Sequence, residues 1–142
     1  MTSIAGSSFI HRWLRVAKSA VLVEAGLRTR SLPELTSALG ITFAPDQPSP
    51  AETDLETISA QVRWACRAAD RMVRLLPGGS PCLRRALIAG HLLRKHKPSL
   101  RIGSARLAGQ FAFHAWLEVG GQVAADPTAA SFRPLVRARP AD

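Results

Sequence analysis

The chain has 142 residues, of which 46% are hydrophobic and 20% charged, a composition typical of one folded globular domain and not of a disordered or fibrous protein. Its net charge is +9, but residues 1–61 hold five Lys and Arg against six Asp and Glu, whereas residues 62–142 hold fourteen against four. This basic half fits an acidic partner, a phosphate backbone or an ordinary solvated surface. Because the sequence has no tyrosine and no motif of interleaved basic and aromatic residues, we expect no nucleic-acid partner.

The first predicted element is an amphipathic helix over residues 8–28. Its apolar residues recur at steps of three and four. Charged side chains interrupt them, so we expect neither a signal peptide nor a membrane span. The apolar stripe is predicted to pack on the core, with docking on a partner as the alternative. Its members are Ile10, Leu14, Ala17, Val21 and Ala25.

Two more helices and a loop are predicted in the first half of the chain, before the helical spacing of apolar residues gives way to strand-like alternation. Ser31 with Glu34 forms a capping box, and Gly40 marks the end of this short second helix. Residues 41–52 contain three prolines and are predicted to be a loop. A long helix over residues 53–76 follows, with an apolar stripe at helical spacing.

The second half of the chain has the pattern of a small sheet. Strands are predicted over residues 100–106, 111–119 and 122–126, and Gly120-Gly121 is a hairpin turn signal. The order of elements, helices first and then an antiparallel meander, predicts an α+β domain. Its N-terminal helices would pack on one face of a small antiparallel sheet.

Two cysteines are too few for a disulfide framework, and neither has the spacing of a zinc site, so we expect reduced thiols, a cytoplasmic protein and no metal. Ser80 as N-cap and Pro81 at the first helical position predict that Cys82 is the second residue of a helix. Unpaired backbone N–H groups and the helix dipole stabilise a thiolate there. Cys66 is predicted to lie mid-helix without that environment. The alternative interpretation of Cys82 is a small buried hydrophobe.

A thiolate nucleophile needs a general acid, and four histidines are available. His91 and His96 are predicted to lie on the Cys82 helix itself, more than two turns away and therefore too far to reach the thiol, and His11 lies on the first helix. His114 remains, on a strand whose alternation places it beside Trp116 on one face. The other, apolar face is predicted to hold Phe111, Phe113, Ala115, Leu117 and Val119. A structural histidine is the alternative.

A third group should orient the imidazole, and Asp126 is the candidate. A two-residue turn at Gly120-Gly121 would make Asp126 face away from His114. A three-residue turn that begins at Val119 would pair His114 directly with Asp126. A catalytic dyad therefore predicts the three-residue turn.

The local sequences resemble a known family. The runs S-P-C-L-R-R-A-L-I-A-G-H, F-A-F-H-A-W-L-E-V-G-G-Q-V and D-P-T-A-A-S-F-R-P-L, with intervals of 32 and 12 residues between Cys82, His114 and Asp126, are similar to the lasso peptide biosynthesis leader peptidase family. That family belongs with the transglutaminase-like and papain-like cysteine enzymes. The resemblance implies a transglutaminase-like core over residues 53–135, preceded by an N-terminal helical region over residues 1–52 and followed by a tail over residues 136–142.

The resemblance also implies a function. The chain would be a cysteine peptidase that removes the leader from a ribosomally made lasso precursor through Cys82, His114 and Asp126, without a cofactor. Its expected partners are the precursor peptide, a separate leader-binding recognition protein and the ATP-dependent lasso cyclase. The Cys82 amide would contact the oxyanion, with Gln110 or an amide of Gly78 or Gly79 as the second donor. Trp116 would wall the site or pack in the core.

Two other classes of function stay open at this stage. One is a different acyl-transfer enzyme with the same triad, such as a transglutaminase or amidase. The other is a non-catalytic binding module that uses the basic half of the chain.

Overall fold

The computed structural model describes residues 3–43, 55–124 and 133–134. Within them the helices are α1 (Ser3–Thr29), α2 (Leu32–Leu39), α3 (Leu55–Leu75) and α4 (Pro81–Leu92), with a 3₁₀ turn at Arg94–His96. The strands are β1 (Thr42–Phe43), β2 (Ser99–Leu107), β3 (Gln110–Val119), β4 (Gln122–Val123) and β5 (Arg133–Pro134). The predicted α+β class agrees with this order of elements.

The sheet is mixed, which corrects the expected antiparallel sheet. Its long β2–β3 hairpin continues into β4, and β5 pairs antiparallel with β2. β1 pairs with β2 in parallel, and the Thr42 amide donates to the Pro98 carbonyl over 2.9 Å. β1 lies where the sequence predicted only loop. Two residues beside a proline-rich stretch are too few to show the alternation that identifies a strand.

The second helix confirms its predicted capping. The Ser31 hydroxyl accepts from the Glu34 amide over 3.5 Å, and the Ser31 amide donates to the Glu34 carboxylate over 3.2 Å. Gly40 ends the helix in the left-handed conformation, with φ at 77°. These interactions are local, so the sequence is sufficient to predict them.

The core lies where α3, α4 and β3 meet. Leu87 and Ile88 of α4 and Leu100 of β2 are completely buried. Gly90 brings α4 close to its neighbours, because a Cβ added there would lie 2.6 Å from Ile41 Cδ1. Gly90 therefore allows α4, which carries Cys82 in its first turn, to pack closely on Ile41.

The first helix faces the core with a different side from the one predicted. Ile10, Leu14 and Val21 are 58%, 59% and 67% exposed. The buried residues of α1 include Val16 and Val23 instead. Both stripes have helical spacing, so periodicity alone could not determine which of the two packs on α3 and α4. Among the described helices, none combines the length and the hydropathy that a membrane crossing requires.

His91 on α4 makes the stability of the fold depend on pH. Its Nδ1 lies 3.2 Å from the Leu39 carbonyl, and burial is the main reason that the pKa of His91 lies below the ordinary value of 6.5. The nearby charges of Arg94, Lys18 and Arg15 lower the pKa further, while the Leu39 hydrogen bond opposes the shift.

We therefore expect the free energy of unfolding to fall as the pH drops below about 6.5, because the unfolded chain then binds a proton that the folded chain resists. Urea titrations between pH 7.5 and pH 5 measure this slope. His91→Gln should flatten it, whereas His11→Gln, a change at an exposed position on α1, should not. Equal slopes for the His91→Gln variant and the unaltered chain would contradict the assignment.

Candidate active site

Cys82 is the second residue of α4, as the sequence predicted. Ser80 occupies the N-cap position and Pro81 the first helical position. The Ser80 backbone is left-handed, with φ at 58°, and its hydroxyl makes no capping hydrogen bond, which corrects the expected side-chain cap. The thiol is partly exposed. Cys82 therefore lies in the first turn of α4, whose N–H groups are not capped by the Ser80 hydroxyl.

A small cavity connects Cys82 to the sheet. It has room for about one water molecule, with a volume of about 10 Å³. Cys82 and Cys66 both line it, together with Ala115 and Trp116 of β3. The beginning of α4 thus lies against the part of β3 that directly follows His114. Cys66, which the sequence placed apart, is a buried neighbour of the same cavity, and its thiol donates to the Ala124 carbonyl over 3.7 Å.

His114 is half-buried on β3, opposite Gly103 of β2. Its ring stacks on the indole of Trp116, with centroids 6.1 Å apart and an interplanar angle of 20°. Trp116 is 4% exposed, so it forms a rigid wall beside the imidazole and not a mobile surface residue. His114 is not itself one of the residues that line the small cavity.

A buried polar row supports that tryptophan. The Trp116 Nε1 donates to Glu118 Oε1 over 3.4 Å, and the Arg101 Nε donates to Glu118 Oε2 over 3.1 Å. Arg101 is 3% exposed, and its charge is compensated by this carboxylate. Sequence analysis did not single out Arg101 or Glu118. The only sequence signal is the alternation of β3, which directs the Glu118 carboxylate to the same side of the strand as His114 and Trp116.

The hairpin after β3 has the shorter of the two possible turns. Val119 pairs with Gln122 and Glu118 with Val123, so the prediction of a three-residue turn is wrong. Gly120 and Gly121 have φ values of 60° and 80°, which fit a two-residue turn with both central residues left-handed. Two glycines adopt this conformation without steric cost, and its twist matches that of the strands.

The observed register removes the argument that paired His114 with Asp126 across the hairpin. Asp126 itself lies outside the described residues, so its role in orienting the imidazole stays a prediction. The candidate second oxyanion donors, Gln110 and the Gly78 and Gly79 amides, lie on different elements. Gln110 is exposed at the start of β3, four residues or about 13 Å along the strand from His114, whereas Gly79 is in the loop that leads to Cys82.

Arg84 is a site residue that the sequence analysis missed. Its Nε lies 2.9 Å from Glu24 Oε1 of α1, and its Nη1 donates to the Pro77 carbonyl over 3.0 Å. The guanidinium also covers Gly78, where an added Cβ would lie 2.9 Å from it. Arg84 therefore ties the loop before Cys82 to α1. The pairing of a residue on α4 with one sixty positions earlier has no signal in a single sequence.

We expect Arg84→Met to destabilise the chain by about 3–5 kcal/mol, because it leaves the Glu24 carboxylate buried without its counter-charge. Both side chains of the pair are less than one fifth exposed, at 14% and 16%. Asp70→Asn is the matched control, since it breaks the Arg85–Asp70 ion pair, whose carboxylate is 43% exposed, and should cost at most about 1 kcal/mol. Urea unfolding measures the loss of stability in both variants. Equal losses would show that the Arg84–Glu24 pair stabilises the fold no more than the exposed Arg85–Asp70 pair does.

Comparison with protein families agrees with this arrangement. The model of the transglutaminase-like superfamily matches residues 9–137. The chain belongs to the transglutaminase-like superfamily. Neither a curated protein nor a solved structure gives a match. The transglutaminase-like superfamily commonly includes cysteine proteases, and membership supports a fold for cysteine-based acyl transfer.

Proposed function

We propose that this transglutaminase-like chain is a cysteine peptidase that cleaves the leader from a lasso peptide precursor, with Cys82 as the nucleophile, His114 as the general acid and base, and Asp126 as the orienting carboxylate. The observation that carries the proposal is the small cavity that joins Cys82, at the start of α4, to Ala115 and Trp116 on β3. Cysteine-based acyl transfer uses a thiol at a helix N-terminus with a histidine as its acid and base, and His114 directly precedes Ala115 on β3.

In the proposed reaction the Cys82 thiolate attacks the scissile carbonyl and forms a tetrahedral oxyanion. The C–N bond then breaks, His114 gives its proton to the departing amine, and a thioester to Cys82 remains. His114 next removes a proton from water, which hydrolyses the thioester and restores the thiolate. The Cys82 amide, with Gly79 as the second donor, would stabilise the oxyanion at the start of α4.

Several parts of the described structure would serve this reaction. Trp116 packs against His114 and limits the positions of its ring. Arg84 donates to the Pro77 carbonyl and pairs with Glu24, so it ties the loop that precedes Cys82 to α1. The resemblance of the local sequences supports the lasso precursor as the substrate, a separate leader-binding protein and the lasso cyclase as partners, and the cytoplasm as the location.

The test is a cleavage assay with the purified chain, the precursor peptide and the recognition protein. Mass spectrometry should show two fragments whose masses sum to that of the precursor plus one water. An acyl-enzyme on Cys82, trapped by acid quenching, would identify the thioester. A product that joins two peptides with loss of ammonia, or an uncleaved precursor that has gained water and lost ammonia, would overturn the peptidase in favour of a transglutaminase or amidase.

A further inference from the structure

A second and much larger groove lies between α1 and α3, outside the proposed catalytic site. Its volume is about 490 Å³, and four arginines line it. Among the residues that the structure describes, its lining contains no carboxylate. The four arginines are Arg12, Arg63, Arg67 and Arg71. A groove of this size with one sign of charge focuses the electrostatic potential on an anionic ligand.

The arginines of α3 have a regular spacing. Arg63, Arg67 and Arg71 follow one another at four-residue steps, which corresponds to about 6 Å per step along the helix axis. In an extended peptide, side chains on the same face repeat at about 6.6–6.8 Å. Carboxylates at every second position of such a peptide would therefore match the spacing of Arg67 and Arg71.

The groove also has an apolar part. Phe9 is 63% exposed and makes an edge contact with Trp13, with ring centroids 6.2 Å apart. The Arg12 guanidinium lies over the Trp64 ring, 5.7 Å from its centroid. A neighbouring cavity shares Arg12 and Trp64 and extends the basic surface to Lys95. A ligand in the groove would therefore contact positive charge and, at the Phe9 end, an exposed apolar ring.

We propose that this groove binds an acidic, extended peptide segment that carries apolar residues between its carboxylates. Single-stranded nucleic acid usually stacks its bases on open aromatic faces. Trp13 and Trp64 pack against the core, and Trp64 is covered by Arg12, so neither offers such a platform. One part of this proposal rests on the proposed function, namely that the bound segment belongs to the leader of the peptide substrate.

The test measures binding of a fluorescein-labelled peptide, Glu-Leu-Glu-Leu-Glu-Phe, by fluorescence anisotropy, with the Cys82→Ala variant of the full chain. Arg67→Gln and Arg71→Gln should each weaken binding about three- to tenfold, and added salt should weaken it further. Arg67→Lys, which keeps the charge, should retain most of the salt dependence. Arg28→Gln is the matched control, because Arg28 is exposed at the far end of α1 and outside the groove.

Equal weakening by Arg28→Gln, or equal binding of a peptide with lysine in place of glutamate, would overturn the assignment. So would tighter binding of a labelled oligothymidylate of the same charge, which would make the groove a nucleic-acid site. The leader-cleavage assay separates the two proposals. Precursor cleavage with unaltered KM in Arg67→Gln would refute the groove alone, whereas arginine-dependent peptide binding without any cleavage by the unaltered chain would refute the peptidase alone.

Discussion

The Cys82→Ala variant should lose leader cleavage completely while it keeps its fold. The change removes the sulfur that would form the thioester. Among the described residues that line the cavity, Cys66 carries the only other thiol. Cys82 is partly exposed, so the loss of its sulfur should change the free energy of unfolding by less than about 1 kcal/mol. Precursor cleavage followed by mass spectrometry, together with urea unfolding, measures both quantities.

Cys66→Ala is the control for this prediction, because both thiols line one cavity. Cys66 is 4% exposed, and the substitution should cost about 1 kcal/mol of stability while cleavage continues. Iodoacetamide should label Cys82 first in the folded chain, since Cys66 is buried. Cleavage that survives in Cys82→Ala and disappears in Cys66→Ala would exchange the roles of the two cysteines.

His114→Ala should reduce the rate of cleavage by at least about 10²–10⁴-fold, the contribution typical of a positioned general acid and base. The departing amine would leave without a proton, and water would attack the thioester without a base. Single-turnover kinetics with excess enzyme separate this chemical step from precursor binding. Substrate affinity should stay within about twofold, because the proposed peptide groove lies between α1 and α3 and not at β3.

The matched control is His96→Gln. His96 accepts or donates one hydrogen bond with Gln61 and lies in the 3₁₀ turn, so the change should leave the single-turnover rate within about twofold. Trp116→Phe is an intermediate case. It keeps a ring beside His114 but removes the donor to Glu118, and a partial loss of rate would show that the stacked tryptophan positions the imidazole. Full activity of His114→Ala would refute the proposed mechanism.

The local features of this chain follow from its sequence. The capping box of Ser31 and Glu34, the start of α4 at Pro81 and the position of Cys82 one residue later all depend on neighbours within a few positions. The strand alternation around His114 likewise predicted that Ala115 and Leu117 face the core, and both are buried. Phe111 and Phe113 were predicted on the same face, but they are 68% and 67% exposed.

Tertiary packing decided the rest. Two apolar stripes compete on α1, and only the surfaces of α3 and α4 determine that Val16 is inside and Ile10 outside. The Gly120-Gly121 pair permits both turn lengths considered, and strand twist selects the shorter one, which changes the register by one residue.

The sequence by itself thus determined the α+β class, the helix that carries Cys82 and the strand that carries His114, because a proline at the first helical position and strand alternation are encoded by adjacent residues. Only the tertiary structure joined Cys66 to the Cys82 cavity, placed Glu24 on Arg84 and aligned four arginines along one groove. The physical reason is that ion pairs, cavities and grooves form between segments distant in the chain. Their geometry depends on how the faces of helices and strands pack on one another, and a local sequence pattern does not show which distant segment will lie opposite.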